Sequence, residues 1–206
     1  MDISVDLESR ERTVIYFPIV HNQADMGALS ESVKKASLKR IGRTGWKRKL
    51  DLIDKFWTEI GQSIDRLSLP VGRVRIYQDG LPVSGKEREI VEELAKSGSR
   101  NHALLLRLID GGAQLMGTES LELLLEEYEL ARKALEWGVP PETHKSEKPG
   151  TVSLLERRDT FIARRINDTL RPGEIGMVFL GMLHSLEKWL ERDIQVIYPL
   201  GRPMKR

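Results

Sequence analysis

Residues 175–180 read IGMVFL, a run of strand length that is apolar at odd and even positions alike. Such a strand has no wet face, so it fits a parallel sheet covered on both sides better than an antiparallel sheet with one side in water. Working outward, the runs Thr13–Val20 (TVIYFPIV), Val74–Gln78 (VRIYQ) and Ala113–Met116 share this character, and Ile194–Leu200 (IQVIYPL) is a further candidate. The second is closed by Asp79-Gly80 and the third follows Gly111-Gly112, both turn signals.

Amphipathic stretches fill the intervals. Trp46, Leu50, Ile53, Trp57, Ile60, Ile64 and Leu67 recur at spacings of three and four, which predicts a helix that Pro70 stops. Ser84 followed by Glu87 predicts a capping box at the start of the next helix. Leu104–Ile109, Leu121–Trp137 and Leu154–Leu170 supply three more, the last ended by Arg171-Pro172-Gly173. The predicted order is β-αα-β-αα-β-α-α-β-α-β. It implies one α/β domain over residues 1–206, with a mostly parallel central sheet of four to five strands and helices on both faces. Residues 139–150 (VPPETHKSEKPG) read as a loop or lid and residues 200–206 as a C-terminal tail.

Composition supports a globular chain. The 206 residues are 40% hydrophobic and 31% charged, and no window approaches the ~18 uninterrupted apolar residues of a membrane helix. The first residues, MDISVDLESRERT, carry both signs of charge and no apolar core, so no signal peptide is expected. The absence of cysteine excludes disulfides, thiolate metal sites and a cysteine nucleophile, and it fits a cytoplasmic location. With 33 basic and 31 acidic residues, bulk charge selects no polyanionic partner.

In parallel sheets, ligands bind beyond the carboxyl ends of the strands. His21, Asp79, Glu119 and His184 each follow one of the predicted strands. Two imidazoles and two carboxylates at one sheet edge suit a divalent ion such as zinc, manganese or cobalt, or a general acid/base pair. Each also has an ordinary reading: Asp79-Gly80 as a turn, Glu119 as a helix-start acid, a strand-end histidine as a surface group. His102 and His144 read as incidental. On the helix of Leu154–Leu170, Arg158 projects about 40° from the centre of the apolar stripe, whereas Arg157 points away and Arg165 lies at the margin. An inward guanidinium needs an acceptor, either a strand-end carboxylate or a bound oxyanion; the alternative is a side chain that reaches past the stripe to water.

Lys34, Lys35, Lys39, Arg40, Arg43, Lys47, Arg48 and Lys49 form a basic cluster. It reads either as a phosphate-contacting patch or as a solvated helix-turn-helix surface, and the general behaviour of charge runs favours the solvated surface over nucleic acid. No G-x-x-x-x-G-K-[ST] loop, no G-x-G-x-x-G after the first strand and no G-x-S-x-G elbow occurs.

The motif set resembles that of the TraB/TIKI/ChaN/erythromycin-esterase-like superfamily, whose members carry G-x-x-H near the first strand, an acid after the second, Arg-Asn or Arg-Asp opening a late helix, and a second G-x-x-H closing a late strand. Here Gly181-Met182-Leu183-His184 is intact, Arg158-Asp159 is followed by Phe161, Ile162 and Ala163, and Pro18-Ile19-Val20-His21 keeps the histidine without the glycine. Asp79 stands where the TraB and TIKI branches generally have glutamate. The superfamily includes metal-dependent proteases, haem binders and a lactone esterase. The resemblance therefore implies a soluble metal-dependent hydrolase of a small-molecule or peptide substrate. His21, His184 and Asp79 would hold a divalent ion, and Arg158 and Glu119 would serve the reaction. The competing expectation is a non-catalytic module that binds a ligand or partner through the same cleft or through the basic 34–49 surface. Neither expectation involves a membrane, and both leave a homo-oligomer open.

Overall fold

A computed structural model describes residues 11–20, 30–136 and 152–202. The five expected strands are present: β1 (Arg12–Ile19), β2 (Val74–Gln78), β3 (Gln114–Met116), β4 (Ile175–Gly181) and β5 (Ile194–Ile197). They form one sheet in the order β3-β2-β4-β1-β5, and every pairing is parallel. The helices are α1 (Ser30–Asp65), α2 (Glu87–Lys96), α3 (Arg100–Asp110), α4 (Leu121–Glu136) and α5 (Leu154–Thr169). The chain is thus an α/β protein. Among the described residues no helix is long and apolar enough to cross a membrane.

Strand alternation sorts the core into two layers. Ile15, Phe17, Ile76, Met177 and Phe179 meet Ile53, Trp57 and Ile60 of α1, Val91 of α2 and Leu105 of α3. Val14, Tyr16, Tyr77, Val178 and Leu180 face the other way, onto Ile162, Ala163 and Ile166 of α5. β1 and β2 are buried throughout and β4 nearly so, because both faces are covered; the edge strands β3 and β5 are only partly buried. Helix α4 touches both α5 and α1. Two arginines begin the central strands, and each is neutralised: Arg12 by Asp193 and Glu191, Arg75 by Glu174.

The helical detail matches expectation in one place and departs from it in two. The expected helix pair after β1 is present as the two parts of α1, which meet at a kink at Gly42, whose φ of 68° is accessible to glycine at little cost. No helix separates β4 from β5: residues 182–193 are turns and irregular chain. This stretch is tied down by local bonds, with Asn167 Nδ2 donating to the Trp189 carbonyl at 3.0 Å and the Glu191 N–H donating to Asn167 Oδ1 at 3.1 Å. The Ser84–Glu87 box forms only half. The Ser84 N–H donates to Glu87 Oε1 at 2.8 Å, but Ser84 Oγ accepts from the Lys86 N–H at 3.2 Å, and the helix starts at Glu87. The 139–150 loop and positions 203–206 of the tail lie outside the described residues.

Topology fixes where the loops diverge. The chain leaving β2 runs outward to β3, whereas the chain leaving β4 crosses to β5 on the far side of β1. The crevice of a parallel sheet lies at such a divergence, here between the carboxyl ends of β2 and β4. The β2–α2 loop is held against β3 there, with Val83 N–H donating to the Glu119 carbonyl at 2.9 Å. Gly117 permits that approach: a Cβ would lie 2.7 Å from Val83 Cα and 2.7 Å from Glu87 Oε1. Gly117→Ala should therefore cost about 1–3 kcal/mol of stability in urea unfolding, since the obstructing atom is backbone; an unchanged midpoint would contradict this packing.

Candidate functional site

Four segments deliver charged groups to that crevice. Asp79 is the first residue after β2, Glu119 is the third after β3, His184 is the third after β4, and Arg158-Asp159 lie in the first turns of α5. Each local backbone has a reason to end there. Asp79-Gly80 is a turn with Gly80 at φ 73°, and the Leu81 carbonyl accepts from the N–H groups of both Thr118 and Glu119 at 3.0 Å, which pins the β3 exit onto the β2 exit. Helix α5 starts at a Ser153 cap that accepts the Glu156 N–H at 3.0 Å.

Arg158 is the centre of the group, and its side chain is 5% exposed. Its Nε and Nη2 grip Glu119 as a fork, at 2.6 Å to Oε2 and 2.7 Å to Oε1, and Nη2 also donates to Asp79 Oδ1 at 2.8 Å. Nη1 donates to Glu127 Oε1 of α4 at 2.5 Å; Glu127 is the one partner on the solvent side, 51% exposed. The remaining acceptor positions are filled by backbone. Gly80 N–H donates to Glu119 Oε1 at 2.6 Å and Gly181 N–H donates to Asp79 Oδ2 at 2.8 Å. The inward alternative for Arg158 is therefore the observed one. Arg157 instead pairs with Glu126 at the surface, and Arg165 at the stripe margin donates to the Gly117 carbonyl at 3.2 Å.

His184 lies between two carboxylates. Its Nδ1 is 2.5 Å from Asp159 Oδ1 and its Nε2 is 3.5 Å from Asp79 Oδ2, while Ser185 N–H holds the other Asp159 oxygen at 3.0 Å. Burial works against an imidazolium here, but the Asp79 charge and the bonds to Asp159 and Asp79 outweigh it, and the pKa is pushed up to about 10. Burial likewise pushes the Glu119 carboxyl above its usual range, against the pull of Arg158. Three buried carboxylates (Asp79, Glu119, Asp159) thus face two cations, and the group has room for one more proton. Tyr16, 2% exposed and on the α5 side of β1, brings a hydroxyl without a hydrogen-bond partner among the described residues; burial first, then the charges of Asp79 and Asp159, push its pKa up.

Of the residues expected at the site, Asp79, Glu119, Arg158 and His184 converge, and His21 lies outside the described residues. The donor set that is described does not fit a divalent ion. Among the described residues no three His, Asp or Glu side chains are grouped to hold one, and the Asp79 and Glu119 oxygens accept from Arg158 and backbone N–H groups. Glu119 holds the guanidinium in place rather than presenting a free carboxylate. Two members were not among the expected site residues. Asp159 was legible as the neighbour of Arg158, one helical step round toward β4. Glu127 had no signal, since α4 reads as wet along its acidic side. His102 is structural, its Nδ1 2.7 Å from Ser99 Oγ at the start of α3, and His144 lies outside the described residues.

Because the folded pKa of His184 is raised above its ordinary 6.5, its pairing contributes stability that is fully present below about pH 6.5 and is lost as pH rises through about 10. Imidazole NMR should find both ring nitrogens protonated at about pH 8, and the stability gap between the protein and His184→Asn should narrow from about pH 6 to about pH 10. A neutral ring at neutral pH would contradict the two-carboxylate arrangement. A scan against protein-family models found no match, and searches of the curated proteins and of the solved structures found none either.

Proposed function

We propose that the protein is a hydrolase of the TraB/TIKI/ChaN/erythromycin-esterase-like kind, with its reaction centre at Arg158, Asp159, His184 and Asp79. The observation that carries this reading is the His184 imidazolium held between Asp159 and Asp79 in a buried group with one carboxylate in excess. Burying five ionisable groups costs stability, and such groups cluster at sites that move protons.

The chemistry follows from the weakest junction. The 3.5 Å separation of His184 Nε2 and Asp79 Oδ2 is long for a direct bond, whereas the Asp159 contact at 2.5 Å is tight. Asp159 therefore orients the ring, and Nε2 is the end that exchanges its proton. In hydrolysis of an acyl bond, the water oxygen bonds the carbonyl carbon as Asp79 takes its proton. His184 then gives the Nε2 proton to the leaving group as the bond to carbon breaks. Proton transfer from Asp79 to His184 restores the resting state. Arg158 has one N–H beyond those it uses, on Nη1, the side where half-exposed Glu127 can yield to an oxyanion. Glu119 is the positioning residue for that guanidinium.

The steps above use side chains alone. The metal-dependent form of the reading needs His21 together with zinc, manganese or cobalt. The test is hydrolysis of p-nitrophenyl esters, lactones and peptides by untagged protein, with and without a chelator. The expected result is turnover that survives chelation and falls on the order of 10²-fold or more in His184→Asn and Asp159→Asn variants that keep their fold. Turnover lost on chelation, restored by one of those ions and absent with the ion from His21→Ala would replace the side-chain mechanism with the metal one. Full turnover in folded His184→Asn would remove the site altogether, and no turnover of any probe would favour the non-catalytic module.

A further inference from the structure

The Proposed function makes no use of the basic cluster, and the fold gives it a distinct setting. Glu31–Lys49 carries eight basic side chains and one acidic, so in a chain of net +2 the remainder is net −5. Only the later part of α1 is built into the core, through Ile53, Trp57, Ile60 and Ile64. Before it, Lys35, Lys39, Arg40, Arg43, Lys47 and Arg48 are exposed. Elsewhere Arg75, Arg88, Arg100, Arg107, Arg132 and Arg157 each pair with a carboxylate. Lys35, Lys39, Arg43, Lys47 and Arg48 make no such pair among the described residues.

We propose that this exposed face of α1 is a sequence-independent docking surface for the phosphate backbone of duplex DNA. Lys35 and Lys39 stand one turn apart, about 6 Å along the helix, before the break at Gly42, and Arg43 and Lys47 stand one turn apart after it. A segment with seven more basic than acidic side chains is complementary to the regular line of phosphates on a duplex, and counterion release supplies the affinity. These cations leave the helix's apolar side inward: Ser37 is buried, and Val33, Leu38 and Trp46 are half-buried. Ile41 is the one large apolar side chain of 31–49 that is exposed. A helix that inserts into a lipid surface needs an apolar face free to enter it, and this one has none. The inference stands on α1 alone and is independent of the hydrolase reading.

The test is fluorescence anisotropy of a 20-base-pair, mixed-sequence DNA duplex with the full chain, over a salt series. With about five phosphates neutralised, affinity should fall several-hundred-fold between about 50 and 200 mM salt. Replacing Lys35, Lys39, Arg43 and Lys47 together by Glu should abolish binding with no change in thermal midpoint. The corresponding Gln set should flatten the salt slope by about 3.6. Arg132→Glu, a paired cation on α4, should leave binding within twofold. Absence of binding at low salt would overturn the proposal, as would equal loss with Arg132→Glu. Tighter binding to phosphatidylserine vesicles than to the duplex would overturn it in favour of a membrane surface.

Discussion

The guanidinium of Arg158 joins four parts of the chain at one point. It carries Glu119 from the end of β3, Asp79 from the end of β2 and Glu127 from α4, all from a position on α5. An arginine cannot shed its charge, so once the amphipathic phase of α5 turns it inward, the surrounding strand ends must supply acceptors. The carboxylates are equally dependent on it. Glu119 is 1% exposed, and without Arg158 its only remaining donor among the described residues is the Gly80 N–H. The carboxyl edge of the sheet is therefore organised by charge, while the layers beneath it are organised by apolar burial.

Parallel topology explains why charge gathers at this edge and not elsewhere. Loops from β2 and β4 depart in opposite directions, which leaves strand-end backbone between them at the carboxyl edge. There the N–H groups of Gly80 and Gly181 hold carboxylates that side chains alone would leave short of donors. His184 completes the set from the β4 side, where Asp159 and the Ser185 N–H fix its ring. At the opposite edge, Arg12 and Arg75 also meet carboxylates, but these pairs are partly open to solvent and carry no histidine. Geometry of the same kind thus serves anchoring at one end of the sheet and proton chemistry, as proposed, at the other.

The strands were legible because central parallel strands must be apolar on both faces, a pattern few other elements share. Arg158 was legible through helical phase, and Asp79 and His184 through their place after apolar runs. Other features depend on information that local pattern does not carry. The break at Gly42 is a backbone angle inside a continuous polar stretch, so periodicity sees only a weak helix on either side. The absence of a helix over 182–193 reflects ties to Asn167 and Asp159, which are distant in sequence. Glu127 is chosen by the packing of α4 across α5, and nothing in the spacing of Glu122, Glu126 and Glu129 separates it from its neighbours. Unequal distribution of charge, hidden in a balanced total, becomes informative only when the fold shows which cations are matched.

The measurement closest to the central claim is a double-mutant cycle on Arg158→Met and Glu119→Gln, read by urea unfolding. If the guanidinium and carboxylate depend on each other as described, Arg158→Met alone should cost about 3–5 kcal/mol, and adding Glu119→Gln should recover part of that loss. Additive losses from the two substitutions would mean that Arg158 does not organise the carboxyl edge.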